Sequence, residues 1–196
     1  NLLGLAVSYS QSDVDGEDIA GSEVDVDSWQ VMAYGEHRFG QGIFLDGQVA
    51  YSMHNFEQDR TVPGVDTITS DYDGEQVSAR ASLGRDYKGY EMTMTPALNI
   101  RYSHQSQDKH TETDSDGDTF QQVDPDPPDS LELGTSVKAV SHFRYLSGAV
   151  FQPALNAGYR YDVLDEVYSA DKTVNNGNTR PEEGLDPSNH TFTLGT

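Results

Sequence analysis

Residues 2–10 read LLGLAVSYS, and this short run decides the fold. Leu3, Leu5, Val7 and Tyr9 fall on one side of an extended chain; Gly4, Ala6, Ser8 and Ser10 fall on the other. A period of two is the signature of a β-strand with one apolar face. The pattern recurs over residues 28–39, 43–55, 76–87, 92–103, 131–142, 149–161 and 190–194. Trp29, Val31 and Ala33 oppose Ser28, Gln30, Glu36 and Arg38. Ile43, Leu45, Val49, Tyr51 and Met53 oppose Asp46, Gln48, Ala50, Ser52 and His54. Later segments place Val77, Ala79, Ala81 and Leu83, then Met94, Leu98, Ile100 and Tyr102, then Leu131, Leu133 and Val137, then Leu155, Ala157, Tyr159 and Tyr161, then Phe192 and Leu194, on the apolar side.

The connectors separate a barrel from a soluble sandwich. Gly40-Gln41-Gly42, Lys88-Gly89-Tyr90 and Leu146-Ser147-Gly148 predict tight turns, whereas residues 13–27, 57–75, 104–129 and 162–189 predict long loops. Strict alternation of short and long connectors is the habit of outer-membrane barrels, with the turns periplasmic and the loops extracellular. The charge follows the same division. The chain carries 33 acidic and 12 basic residues for a net charge of −21, and 28 of the acidic residues lie in the four long connectors. The expected fold is therefore all-β, an antiparallel up-and-down transmembrane barrel with about eight strands present.

Composition narrows the function. Phosphate recognition needs clustered Lys and Arg, so nucleic acid is not an expected partner. There is no cysteine, which excludes a disulfide framework, a thiolate metal site and a cysteine nucleophile. No run of eighteen apolar residues exists to make a membrane helix. The chain begins at Asn1, as a processed or excerpted product would.

On the polar face, Asp46, Gln48, Arg80, Arg101, Glu132, Lys138 and Arg160 are expected to point into a lumen, with Asp46 and Glu132 as counter-charges and Arg101 within reach of Glu132. Gly4, Ala6, Ala50, Gly84, Ala97, Gly134, Ala154 and Gly158 are expected to leave that lumen room for water or a polypeptide. Tyr87, with Tyr90, Phe39, Phe44 and Tyr145, predicts an aromatic girdle at the short-turn end. Tyr9, Tyr51, Tyr102, Tyr159 and Tyr161 predict a second one at the long-loop end. Pro96 and Pro153 fit because each stands at the start of its strand.

The ordered set LLGLAVSYSQSDVD (2–15), SWQVMAYGEHRFG (28–40), IFLDGQVAYSMHNFEQDR (43–60), DYDGEQVSARASLGRDYKGYEMTMTPALNIRYSH (71–104), SLELGTSVKAV (130–140) and FQPALNAGYRYDVLDE (151–166) resembles the β-domain of autotransporters, the translocators of type V secretion. The resemblance covers nearly the whole chain and implies strands three to ten of a twelve-stranded barrel. The first and last two strands, the lumenal helix and the aromatic C-terminus of the family have no counterpart between Asn1 and Thr196. The acidic residue the family often carries after its seventh strand is also missing, with His104 and Gln105 in its place. The resemblance implies outer-membrane lipid, a passenger polypeptide and the barrel-assembly machinery as partners, with secretion or surface anchoring of the passenger as the role. A porin-like or adhesin-type barrel without a passenger is the alternative.

Enzymatic chemistry finds little support. His104, Asp108, His110 and Glu112 share one connector, as an omptin-type protease site would require, but a connector rich in Asp, Ser, Thr and Gly promises little of the rigidity that acid–base catalysis needs. Asp114-Ser-Asp-Gly-Asp118 lacks the spacing and the bidentate Glu of an EF-hand. Residues 124–129, DPDPPD, predict a stiff spacer. No catalytic, cofactor or metal residue is expected.

Overall fold

The computed structural model describes residues 1–16, 21–62, 66–145, 148–174, 177–184 and 186–196. Glu17 and Asp18 of the first acidic stretch, and Leu146 and Ser147 of the third tight turn, lie outside the described residues. The wall is one antiparallel sheet: β1 (Leu2–Gly16), β2 (Ser22–Arg38), β3 (Ile43–Val62), β4 (Asp66–Arg85), β6 (Met92–Gln107), β9 (Ser130–Ser141), β12 (Ala154–Asp162) and β15 (His190–Gly195), each paired with the next. These eight strands are the eight expected. Among the described residues β1 and β15 do not pair, so the wall is an open arc.

Register carries the alternation from strand to strand. Leu5 stands opposite Ala33, Ala33 opposite Val49, Val49 opposite Ala79, Ala79 opposite Tyr102 and Tyr102 opposite Leu131. Cross-strand partners share a face, so the apolar face is continuous around the arc. It is also bare: Leu3 is 86%, Leu5 78% and Leu194 79% exposed. The other face is concave and better covered, with Ala50 and Ser52 buried. A water-soluble sheet would bury the first face, because large contiguous apolar patches are not left in water. A wall surrounded by lipid leaves it outside.

The short turns at Gly40–Gly42 and around Gly89 form as expected. Gly40–Gly42 is a single 3-10 turn in which Gln41 and Gly42 take positive φ of 63° and 80°. Gly148 N–H donates to the Tyr145 carbonyl at 2.9 Å. Pro96 stands opposite Val137 of β9, but on its other side it lies just past the last β4–β6 pair, Gly84–Ala97, and before β5 (Tyr87–Lys88) pairs with Met94 and Thr93, so on that side its missing N–H breaks no ladder pair. Pro153 falls between β11 (Val150–Phe151) and β12, and its carbonyl accepts from Ser141 N–H at 3.0 Å. β11 pairs with β10 (Phe143–Arg144) in a separate small ribbon.

The long connectors are a correction. The first three are paired strand for most of their length and the fourth for part of it, continuing the wall upward. β1 and β2 stay paired up to Gly16 and Ser22, and β3 and β4 up to Val62 and Asp66. Further round, β7 (His110–Thr113) and β8 (Thr119–Asp126) continue β6 and β9, while β13 (Ser169–Val174) and β14 (Thr179–Glu183) continue β12 and β15; β8 pairs with β13. The DPDPPD spacer begins inside β8, with Pro125 opposite Ala170. Polar alternation hid these extensions, because turn-type residues read as loop when no apolar face marks a period.

Val49→Arg on the outer face should lower the unfolding free energy of the lipid-embedded protein by ~2–4 kcal/mol, whereas Ser82→Arg on the concave face should cost far less. Denaturant unfolding in lipid vesicles measures both; equal losses would contradict the assignment of faces.

Candidate functional site

Two regions carry the chain's polar side chains in an organised way: the concave wall and the rim where the wall leaves the apolar band.

On the concave wall one register row crosses seven strands: Gly4, Tyr34, Gln48, Arg80, Arg101, Glu132 and Asp162. Arg101 Nη1 lies 3.5 Å and Arg160 Nη1 3.6 Å from the same Glu132 Oε2, so the expected Arg101–Glu132 pair forms and Arg160 joins it. Asp162 is committed elsewhere, accepting from Ser130 Oγ–H at 2.6 Å and Leu131 N–H at 3.2 Å. Asp46 is not the counter-charge expected for an arginine: it stands between Glu36 and Ser82. Lys138 stands between Asn156 and Thr95. Among the described residues no ion pair engages Asp46, Lys138 or Arg80. Nearer the short turns, Arg38 bridges Glu36 at 2.5 Å and Asp86 at 2.9 Å.

The small concave residues also need correction. Tyr34 lies over Gly4 and Phe44 over Gly84, close enough that a Cβ on either glycine would collide with the ring. Gly134 is crossed by the Arg160 side chain, and a Cβ on Gly158 would lie 2.8 Å from Thr193 Oγ1. These glycines seat neighbouring side chains and are not simply free lumenal volume. Phe44 consequently leaves the girdle it was expected to join, since it shares the concave face with Arg38 and Gly84.

The remaining aromatics mark the edges of the apolar band. At the short-turn end Tyr87 stacks under the Arg85 guanidinium at 4.9 Å, and Tyr90 and Tyr145 are exposed. At the other end Tyr9 O–H donates to Asp27 at 2.8 Å, Tyr51 to Glu75, and Tyr102 to Asp129 at 3.0 Å. Tyr159 Oη meets His190 Nδ1 at 2.8 Å, and the Tyr161 and His190 rings lie 5.2 Å apart. Four tyrosines thus have the ring on the apolar band and the hydroxyl on a polar group of, or just before, the next strand, which suits an interfacial residue.

Above this line the polarity of the two faces exchanges while the alternation continues unbroken. The outer face becomes acidic: Asp13, Asp25, Glu57 and Asp71 form one register row across β1 to β4. Directly opposed like charges are tolerable only in water. Asp25 carries the consequence, its pKa raised by a hydrogen bond shared with Asp13, by partial burial, and by repulsion from Asp13, Asp27 and Asp15. The inner face becomes apolar. Val26, Phe56 and Tyr72 share a row, Phe56 stacks on Tyr72 at 4.8 Å, and Tyr72 stacks on His110 at 4.1 Å. Ile68, Val123 and Ala170 are buried beside them. Glu112, also buried, accepts hydrogen bonds from the Arg60 guanidinium and from Gln121 Nε2, and Arg60 lies over the Phe120 ring at 5.5 Å. Neither this core nor its Arg60–Glu112 anchor was expected; the alternation of Val24 and Val26 with Glu23, Asp25 and Asp27 was the available signal.

The catalytic quartet does not assemble. A register shift between β6 and β7 turns His104 outward and His110 inward. His104 Nδ1 meets Asp129 Oδ1 at 2.5 Å on the outside, while Glu112 is spent on Arg60. The His104 hydrogen bond, partly opposed by desolvation, holds Asp129 below the usual carboxylate range. Asp114 Oδ1 accepts from the N–H groups of Asp116 and Asp118 at 3.1 and 2.9 Å, closing the β7–β8 turn.

The family model of the autotransporter β-domain matches residues 1–196. Among curated proteins, YaiT of Escherichia coli (strain K12) is 24% identical over 162 residues, which is 82% of this chain and 16% of that protein. YaiT of Salmonella typhimurium (strain LT2) is 25% identical over the same length, with the same shares covered. The chain therefore spans about a sixth of the curated relatives it matches.

Two outcomes follow from the site. Asp25→Asn should raise the melting temperature of the protein at neutral pH. A raised folded pKa means that the folded state binds the proton more tightly, so stability falls as pH rises through that value. The gain should therefore vanish in acid, below the ordinary Asp range, where Asp25 is protonated in both states; calorimetry across pH measures it. Gly84→Ala should cost about 1–3 kcal/mol, the scale of an overpacking strain, and Phe44→Leu in the same protein should recover much of it in a double-mutant cycle.

Proposed function

The chain belongs to the autotransporter β-domain family, and we propose on that premise that it is the wall of an outer-membrane translocator that carries its own passenger to the cell surface and anchors it there. The observation that carries this reading is the arc itself. Its outer face is apolar and bare, its concave face is polar with two arginines on one glutamate, and its far rim is acidic and built of paired strands. A wall that is apolar outside and polar inside can enclose a hydrated polypeptide in a bilayer. In this reading the short turns are periplasmic, the paired acidic extensions stand outside the cell, and the barrel-assembly machinery inserts the domain.

The domain is proposed to be non-catalytic. Among the rim residues weighed for catalysis, His104 is paired with Asp129, His110 is stacked on Tyr72 and Glu112 is paired with Arg60, and the two histidines point to opposite sides of the wall. The passenger, carried by the remainder of a longer protein, would hold the biological activity.

Protease shaving of intact cells expressing the full-length protein tests the reading. An N-terminal region accessible to protease, and lost from the surface when residues 1–196 are deleted, is the expected result. A full-length protein without a surface-exposed region outside the barrel would favour the porin-like alternative.

A further inference from the structure

The concave row that holds Arg80 and Arg101 has an electrostatic peculiarity. The two residues stand directly opposite each other on β4 and β6. Cross-strand partners are ~5 Å apart, and like charges so placed repel. The local counter-charge is inadequate: Glu132 alone answers Arg101 and Arg160, at 3.5 and 3.6 Å, and among the described residues Arg80 has no ion pair at all. Asp162, next along the row, has both carboxylate oxygens engaged by Ser130 and by backbone N–H groups. In a chain of net charge −21, the middle of the concave wall is therefore locally positive. The shape suits a ligand. Arg80, Arg101 and Glu132 line two adjoining clefts, of about 180 and 340 Å³. Arg101 keeps 47% of its side chain exposed there while only its Nη1 approaches Glu132, at 3.5 Å. Glu132 Oε2 and Arg160 Nε, at the edge of the smaller cleft, are buried without a hydrogen-bond partner.

We propose that Arg80 and Arg101 form a carboxylate-binding station on the lumen wall, and that its ligand is an acidic side chain of the polypeptide segment that occupies the lumen. The inference rests on the translocator reading and adds to it the chemistry of the contact. Two adjacent guanidiniums give one carboxylate parallel N–H donors, a charge-assisted arrangement that also cancels their repulsion. The ligand is polypeptide and not lipid because the station lies on the concave face, away from the apolar band. Neighbouring Gln48, Ser103 and Ser130 line the larger cleft and offer the uncharged hydrogen bonds that the flanking backbone of such a segment would use.

The test uses the full-length protein in its native membrane, with a photo-crosslinking residue in place of Ser82, a concave-face neighbour of the row. In the otherwise unchanged protein, crosslinks should form to the protein's own segment outside residues 1–196, and mass spectrometry should place them next to an Asp or Glu. R80Q/R101Q should lower the crosslinked fraction about tenfold, the scale of losing one charge-assisted hydrogen bond of ~1.5 kcal/mol, and R80K/R101K should restore most of it. Heat-modifiable migration on gels would confirm that each variant is a folded barrel. Crosslinking unchanged in R80Q/R101Q overturns the station while leaving the translocator reading intact. Absence of any crosslink to the protein's own chain before the arginines are altered, together with a negative shaving result, overturns both.

Discussion

The hydrogen-bonded ladder of the wall, and its refusal to slip by one residue, is the constraint on which the rest depends. Inside a bilayer no water is available for an open backbone group, so each strand must pair along its length. Once paired, the face of every side chain is decided by its neighbour across the ladder. From Leu5 through Ala33, Val49, Ala79 and Tyr102 to Leu131 the same side stays apolar. A slip of one residue on β3 would turn Val49 and Tyr51 inward and set Gln48 and Ala50 against lipid. The positions of the arginine row, the tyrosines and the acidic rows all inherit this register.

Much of this was legible in the sequence because the band is amphipathic with period two: the eight strands, and the one shared face of Asp46, Gln48, Arg80, Arg101, Glu132, Lys138 and Arg160, follow from it. What was not legible has particular causes. Residues 104–129 look like a loop because Ser, Thr, Asp and Gln carry no apolar periodicity, yet β7 and β8 form there by continuing a ladder already begun. The register shift that sends His104 and His110 to opposite sides leaves no mark in composition. The aromatic neighbourhood of Phe44 suggests the interface, but its parity, opposite Gly84, places it inside. Small residues on a polar face suggest open space, but Gly4 and Gly84, across from Tyr34 and Phe44, are seats for the rings.

The exchange of polarity at the tyrosine line joins the two halves of the structure. Below it, the outside is apolar and the inside polar; above it, Val26, Phe56 and Tyr72 turn the inside apolar while Asp25, Glu57 and Asp71 turn the outside acidic. One strand thereby obeys two solvents without changing its geometry. The core built by Arg60, Glu112, Ile68 and Val123 explains how the extensions hold together where lipid no longer surrounds them.

That exchange also fixes how deep the protein floats. One pleat repeat along a strand is about 6.6 Å. If the wall sank by a single repeat, Asp27, Glu75 and Asp129 would enter the hydrocarbon, at a cost that rises steeply with depth. If it rose by one repeat, Trp29, Met53, Val77 and Leu131 would enter water. The acidic collar and the apolar band together act as a waterline, holding the domain at one height without any contact to a neighbouring protein.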